Sequence, residues 1–297
     1  MQRSSTRTIA VLGATTAVVI LAGAGAPGAS RRAYPAALAE KVLFTTADKK
    51  TLLTGYLFKP DFPSNAQAPA VVMMHGRAGA YSQAAQGEYG ARTLSQRHRF
   101  WGEFWRRNGY MAILVDGFGP RGYPQGFPRF SYSSRPAELD EVKMRPLDAL
   151  GALIYLGSRA DIAPQHVALQ GWSNGASTTL ATMARSTIEQ EAFHELPRFR
   201  AALAFYPGCG LKDAFTNSGY APYAPLRVFM GSADEEVSPA RCDALLHDAP
   251  GVKLHFYPDA THSFDDPGRQ RQQLRANALA RADAIERSLA FLSEELR

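Results

Sequence analysis

Near-continuous apolar runs that alternate with helical segments are the feature that most constrains the fold. Residues 70–74, 111–115, 201–205 and 226–230 are such runs, and the shorter run 167–169 resembles them. Strands that are apolar on both faces are typical of a parallel sheet covered by helices. The pattern therefore predicts an α/β protein with a mostly parallel, doubly wound sheet flanked by helices.

The remaining elements fit the same architecture. Residues 41–45 and 51–57 predict a hairpin-like pair of strands, and residues 252–256 alternate as a half-buried strand does. Helices are predicted over residues 93–108, 138–159, 174–185, 239–247 and 270–296. Residues 117–135 are rich in Gly, Pro, Tyr and Phe without periodicity, which is typical of an active-site loop.

The first residues have the pattern of an export signal. Arg3 and Arg7 precede an apolar run over residues 9–24, and small residues follow it. We expect a signal peptide over residues 1–24 (to about 30), a linker over 31–39 and one domain over 40–297. Export would be to the periplasm or outside the cell, with no stable membrane partner once the signal is cleaved. The alternative is an uncleaved anchor, although the run is short and rich in Gly and Ala for a membrane span.

The basic charge does not indicate a nucleic-acid partner. The formal charge is +6, and cleavage after Ala24 lowers it to +4 because Arg3 and Arg7 leave and no acid does. Lys and Arg occur singly or in pairs, without the clusters or interleaved aromatic residues of nucleic-acid binders. The sequence leaves the oligomeric state open.

A serine between two glycines follows the run at 167–169. Gly171, Trp172, Ser173, Asn174 and Gly175 form a G-x-S-x-G motif between a predicted strand and a predicted helix. This turn holds a nucleophilic serine clear of the backbone, and the glycines relieve the crowding that it creates. The motif also occurs by chance in Gly-rich turns, so the assignment of Ser173 depends on its partners.

Two backbone N–H groups are expected to stabilise the oxyanion of an acyl-transfer reaction. One comes from the residue after the nucleophile, Asn174, and the other from the loop after an earlier strand, where Arg77 follows His75 and Gly76. His75 precedes Ser173 in the chain and is interpreted as a hydrogen-bonded loop residue, not as the base.

The acid and the base should follow the serine, each at the end of a later strand. Asp234 follows the run at 226–230, and His262 follows the strand predicted at 252–256. Glu235 and Glu236 are expected to be solvated loop charges. The order Ser173, Asp234, His262 predicts a catalytic triad.

With these motifs in place, the chain resembles the dienelactone hydrolase family of α/β-hydrolases over roughly residues 40–297. The resemblance rests on the His75-Gly76 loop, the motif around Ser173, Gly231-x-x-Asp234, Ala260-x-His262-Ser263-Phe264, and the segments 115–122 and 206–209. It implies an α/β-hydrolase fold, hydrolysis of small ester or lactone substrates without cofactor or metal, and a pocket over the C-terminal edge of the sheet. Arg77, Trp172 and Arg121 are candidate substrate-binding residues.

One departure from that family concerns the nucleophile. Its founding members use a cysteine where this chain has Ser173, which favours a general carboxylesterase over a dedicated lactone hydrolase. The alternatives are a peptidase, a cutinase-like polyester hydrolase on the same fold, and a non-catalytic binding protein on a hydrolase scaffold.

The two cysteines, Cys209 and Cys242, match no metal-binding or CxxC spacing. Cys209 follows one predicted strand and Cys242 begins the short helix after the next strand, which places both near the same edge of the sheet. A disulfide is the favoured interpretation in an oxidising compartment, and two buried thiols are the alternative.

Overall fold

Eight strands form one sheet in the computed structural model, which describes residues 39–61, 67–215 and 219–297. In chain order they are β1 (Glu40–Thr45), β2 (Leu52–Phe58), β3 (Ala68–Met74), β4 (Met111–Asp116), β5 (Ile162–Trp172), β6 (Ala201–Phe205), β7 (Leu226–Gly231) and β8 (Val252–Tyr257). Their order across the sheet is β1-β2-β4-β3-β5-β6-β7-β8. The pairs β1–β2 and β2–β4 are antiparallel and all other pairs are parallel, which confirms the predicted fold class.

Helices cover the sheet, as its apolar strands require. Every residue of β4 and β6 is buried, so neither face of these strands meets water. The helices are α1 (Gln96–Arg107), α2 (Arg145–Gly157), α3 (Asn174–Met183), α4 (Arg185–Ile188), α5 (Pro239–Leu246), α6 (Arg269–Gln272) and α7 (Arg275–Glu295). Helices α2 and α3 contact each other and β5, whereas α7 contacts β6 and β7.

All five predicted helices are shorter in the structure, and two of them differ most from the prediction. The helix predicted from residue 138 begins at Arg145, because Pro146 lacks an N–H and fits only the first turn of a helix. The helix predicted over residues 270–296 is broken at Leu274, whose backbone is extended. At that break the Asn277 side chain donates to the Arg271 carbonyl and accepts from the Thr261 N–H, which ties α7 to the loop after β8.

The predicted signal peptide and linker lie outside the described residues, apart from residue 39 at the end of the linker. The boundary of the domain near residue 40 therefore stays a prediction. Within the described ranges, no helix is both long and apolar enough to cross a membrane.

A disulfide joins the loop after β6 to α5. The Sγ atoms of Cys209 and Cys242 lie 2.03 Å apart, the Cα atoms are 5.0 Å apart, and both residues are buried. The bond closes a loop of 33 residues and links segments that follow two neighbouring strands. It therefore fixes one side of the sheet edge at which parallel strands end.

Replacing both cysteines should destabilise the protein measurably. For the double variant Cys209→Ala/Cys242→Ala we expect a free energy of unfolding lower by about 3 to 4 kcal/mol, because the unfolded chain regains the entropy of a loop of this length. Urea unfolding followed by fluorescence measures the change. An unchanged unfolding midpoint, with mass spectrometry verifying the oxidised bond in the wild type, would show that the bond contributes nothing.

Candidate active site

Ser173 lies in a strained turn between β5 and α3. Its backbone has φ 52° and ψ −117°, a left-handed conformation that is unfavourable for a residue with a side chain. The flanking glycines allow this turn: a Cβ on Gly171 would lie 2.2 Å from the Gly175 carbonyl oxygen, and one on Gly175 would lie 2.1 Å from that of Met74. The turn therefore holds the serine hydroxyl away from its own backbone, as a nucleophile requires.

The structure brings Ser173, His262 and Asp234 together in a chain of hydrogen bonds. Ser173 Oγ lies 3.1 Å from His262 Nε2, and His262 Nδ1 lies 2.7 Å from Asp234 Oδ2. The Asp234 side chain is fully buried and that of His262 is 3% exposed. A buried carboxylate at Nδ1 fixes the imidazole tautomer that leaves Nε2 free to accept the serine proton.

The loop that carries each partner is held by its own contacts. Asp234 Oδ1 accepts from the N–H groups of Glu236 and Val237, which orients the carboxylate after β7. The His262 N–H donates to Glu235 Oε2 at 2.9 Å, so the loops after β7 and β8 are bonded to each other. The strand ends thus bring Asp234 and His262 together, as the chain order predicted.

The two segments expected to supply N–H groups for an oxyanion both adjoin Ser173. A Cβ on Gly76 would lie 3.4 Å from the Ser173 Cβ, which shows how closely the loop after β3 approaches the serine. The next N–H, that of Arg77, donates to no backbone acceptor of the described chain. Asn174 is the first residue of α3, where an N–H has no acceptor within the helix. Both N–H groups are available to an oxyanion, whose negative charge the positive end of α3 also favours.

A buried arginine joins the two segments that carry these N–H groups. Arg145 Nη2 donates to the His75 carbonyl at 3.0 Å, and Nη1 donates to Asn174 Oδ1 at 2.5 Å. Arg145 is fully buried, and burial lowers its pKa to about 10 although Asp148 and Glu141 oppose the shift. Burial and the Arg145 charge also hold the pKa of His75 well below its usual value. As expected, His75 is hydrogen-bonded: Nδ1 to the Gly76 carbonyl, and Nε2, as acceptor, to the Gly117 N–H of the loop after β4.

Glu236 corrects the expectation that the acids after Asp234 are solvated. Its side chain is 9% exposed, and it accepts from Arg77 Nε at 2.9 Å and Nη2 at 3.2 Å. Its Oε2 also lies 3.8 Å from His262 Nε2. Burial would raise the pKa of Glu236, but the Arg77 bonds and the charges of Arg77 and Arg129 oppose it, and that pKa lies below its usual value. The carboxylate therefore anchors the Arg77 loop beside the base.

Two of the predicted substrate-binding residues, Trp172 and Arg121, have their side chains elsewhere in the structure. Trp172 is fully buried, and its indole N–H donates to Asp265 at 2.8 Å instead of facing a cavity. Arg121 forms an ion pair with Asp148 at 2.7 Å and is only 8% exposed. The third candidate, Arg77, does line the cavities at Ser173. Its guanidinium already donates hydrogen bonds to Glu236 and to the Phe127 carbonyl.

Asp265 supports the site from the core, although the sequence did not indicate it as a site residue. This fully buried carboxylate accepts from the indoles of Trp101 and Trp172 and from the Tyr206 hydroxyl, and it pairs with Arg97 at 3.3 Å. The ring of Tyr206 packs edge-on against the His262 imidazole at 4.6 Å between centroids. Asp265 thus holds the Tyr206 ring that packs against His262. Its position three residues after His262 was the only available hint.

One protein family and several solved structures are similar to this chain. The sequence model of the dienelactone hydrolase family matches residues 53–296. Apo esterase 2 of Thermogutta terrifontis is similar in structure, with 20% identity, a TM-score of 0.61, and coverage of 89% of this chain and 97% of that chain. That esterase has also been solved phosphonylated by cyclosarin. A Klebsiella pneumoniae protein provisionally named a dienelactone hydrolase is 14% identical, with a TM-score of 0.59 over 86% of this chain and 99% of that chain. No curated protein matches the sequence.

Proposed function

Because this chain belongs to the dienelactone hydrolase family and is a hydrolase of ester bonds, we propose that it acts through an acyl-enzyme on Ser173. The observation that carries the proposal is the hydrogen-bonded chain Ser173–His262–Asp234 beside two unused N–H groups. An activated serine also agrees with the phosphonylated state of the Thermogutta esterase.

The proposed reaction has two halves. His262 Nε2 takes the Ser173 proton while Oγ forms a bond to the ester carbonyl carbon, and the carbonyl oxygen becomes an anion held by the N–H groups of Arg77 and Asn174. The carbon–oxygen bond to the alcohol then breaks, and His262 gives its proton to the leaving oxygen. Water adds by the same route, and the acid leaves Ser173 free.

A matched ester and amide test the reaction class. We expect turnover of p-nitrophenyl acetate and little or none of p-nitroacetanilide, since p-nitrophenolate leaves without a proton, whereas the anilide nitrogen must be protonated as its bond breaks. Release of nitrophenol and of nitroaniline is followed by absorbance. Faster cleavage of the anilide would favour a peptidase instead.

Arg145 is proposed as a positioning residue for the oxyanion site. In Arg145→Lys the charge remains, but the two bonds that join His75 and Asn174 cannot both form. We expect kcat to fall about 10- to 100-fold with little change in KM, because a small displacement of an oxyanion donor has effects of this order. Affinity for a trifluoromethyl ketone inhibitor should fall by a similar factor.

Arg121→Lys is the matched control for that variant. Arg121 is also a buried guanidinium, but its bonds go to Asp148 and Gly117 and not to the oxyanion segments. It should lose stability without a comparable loss of kcat. Equal losses of kcat in both variants would show that Arg145 acts through stability alone.

Export is proposed on independent grounds. The expected signal peptide over residues 1–24 and a buried disulfide both fit an oxidising compartment outside the cytoplasm. Fractionation of the producing cells, with N-terminal sequencing of the isolated protein, tests this proposal. A full-length chain in the cytoplasmic fraction contradicts it.

A further inference from the structure

Ser173 lies between two cavities of nearly equal volume, about 360 Å³ and about 350 Å³. Each is at the small end of the range for ligand pockets, and each reaches Ser173, Arg77 and Glu236. An ester has two parts, the acyl group and the alcohol, that extend from its carbonyl carbon in different directions. A serine between two cavities can therefore accommodate one part in each.

The walls of the two cavities differ in chemistry. The first, which we term the aromatic cavity, has the apolar surfaces of Phe130, Tyr132, Leu211 and Val237 in its wall, beside charged side chains of both signs such as Arg135, Lys212 and Glu141. The second, which we term the polar cavity, is lined by hydroxyl and amide side chains, those of Ser82, Gln83, Ser95 and Gln96. One cavity thus suits an apolar group and the other a group rich in hydrogen-bonding atoms.

His262 determines which part of the ester enters which cavity. The imidazole lines the polar cavity and is not part of the wall of the aromatic cavity. To protonate the leaving oxygen, Nε2 must come within about 2.6–3.2 Å of it. The alcohol must therefore extend past His262 into the polar cavity, which leaves the aromatic cavity to the acyl group.

The amides of the polar cavity have unused hydrogen-bonding capacity. Gln83 and Gln96 are exposed, and their side chains make no hydrogen bond to other residues of the described chain. An apolar alcohol would remove these amides from water without replacing their hydrogen bonds, which is unfavourable. A polyhydroxylated alcohol would satisfy them.

From this geometry we infer that the preferred substrate is an ester of a bulky apolar acyl group with a polyhydroxylated alcohol, the acyl group in the aromatic cavity and the alcohol in the polar cavity. The inference rests on the proposed acyl transfer at Ser173. It extends that function by assigning a side of the site to each part of the substrate.

Four esters of matched shape test the assignment. They combine acetyl or 3-phenylpropanoyl as the acyl group with cyclohexylmethyl alcohol or the primary hydroxyl of glucose, which share a six-membered ring. For wild type we expect kcat/KM, measured by pH-stat, to be at least about tenfold higher for phenylpropanoyl than for acetyl esters. We likewise expect kcat/KM to be at least about tenfold higher for the glucosyl than for the cyclohexylmethyl esters.

Two double variants at exposed positions separate the cavities. Phe130→Ala/Tyr132→Ala should reduce the acyl preference about tenfold and leave the alcohol preference within about twofold of wild type. Gln83→Leu/Gln96→Leu should do the reverse. The assignment is overturned if the first variant loses the alcohol preference and the second the acyl preference. It is also overturned if both preferences change together in both variants.

Failure of this inference can be distinguished from failure of the proposed function. Turnover of the esters without the two preferences overturns the inference alone, as does absence of turnover by an enzyme whose Ser173 reacts with a fluorophosphonate. Absence of both turnover and labelling overturns the proposed function as well.

Discussion

Ser173→Ala is expected to lower kcat on p-nitrophenyl acetate by about 10⁶-fold, to a level near the spontaneous rate. Removing Oγ removes the atom that forms the acyl-enzyme, and loss of the nucleophile from a triad has an effect of this order. The backbone should fold normally, since Ala replaces a side chain whose hydroxyl bonds to His262 and to no other residue in the described part of the chain. Initial rates over enzyme concentrations up to the micromolar range measure the loss.

Ser177→Ala is the matched control, because Ser177 lies one turn further along, on α3, and also borders the aromatic cavity. Its hydroxyl accepts from the Gly208 N–H at 2.9 Å and shares its proton between the Ser173 and Gly208 carbonyls, and within the described residues it makes no hydrogen bond to His262. We expect this variant to keep activity within about one order of magnitude of wild type. Activity that survives Ser173→Ala but not Ser177→Ala would reassign the nucleophile.

Asp234→Asn should lower kcat by about 10⁴-fold while the protein keeps its fold. The amide is nearly isosteric with the carboxylate, but it presents an N–H to His262 Nδ1 and stabilises the wrong imidazole tautomer. Nε2 then carries the proton and cannot accept one from Ser173. Steady-state kinetics and circular dichroism together separate this effect from unfolding.

Glu236→Gln serves as the comparison for Asp234→Asn. Glu236 is a second carboxylate near His262, but it lies 3.8 Å from Nε2 and bonds to Arg77 instead of Nδ1. Neutralising Glu236 should lower kcat far less than 10⁴-fold, since the imidazole tautomer is unaffected. An equal loss in both variants would mean that the two carboxylates share the task of orienting the base.

The sheet and the triad positions could be predicted because both depend on patterns that are local in the chain. Apolar runs indicate buried parallel strands, and parallel strands bring their C-terminal ends to one edge. Residues that follow separate strands, such as Ser173, Asp234 and His262, must then meet. Helix ends were less predictable. Pro146 marks the start of α2 locally and was overlooked, whereas the break at Leu274 depends on the contacts of Asn277 with Thr261 and Arg271.

The support around the triad could not be predicted, because it depends on residues distant in the chain. Asp265 is buried by Trp101, Trp172 and Tyr206, none of which is its sequence neighbour. Glu236 differs from a solvated glutamate only because Arg77 lies opposite it in space. Trp172 flanks the nucleophile in the chain, but its side chain points into the core because successive residues of a strand face opposite sides.

Labelling with a fluorophosphonate tests the activated serine most directly, because only a hydroxyl whose proton is taken by a base reacts readily. The account predicts one adduct per chain, located by peptide mass spectrometry on Ser173, absent from Ser173→Ala and formed far more slowly in His262→Ala. No adduct on the folded wild-type protein, or an adduct on another residue that persists in Ser173→Ala, would contradict it.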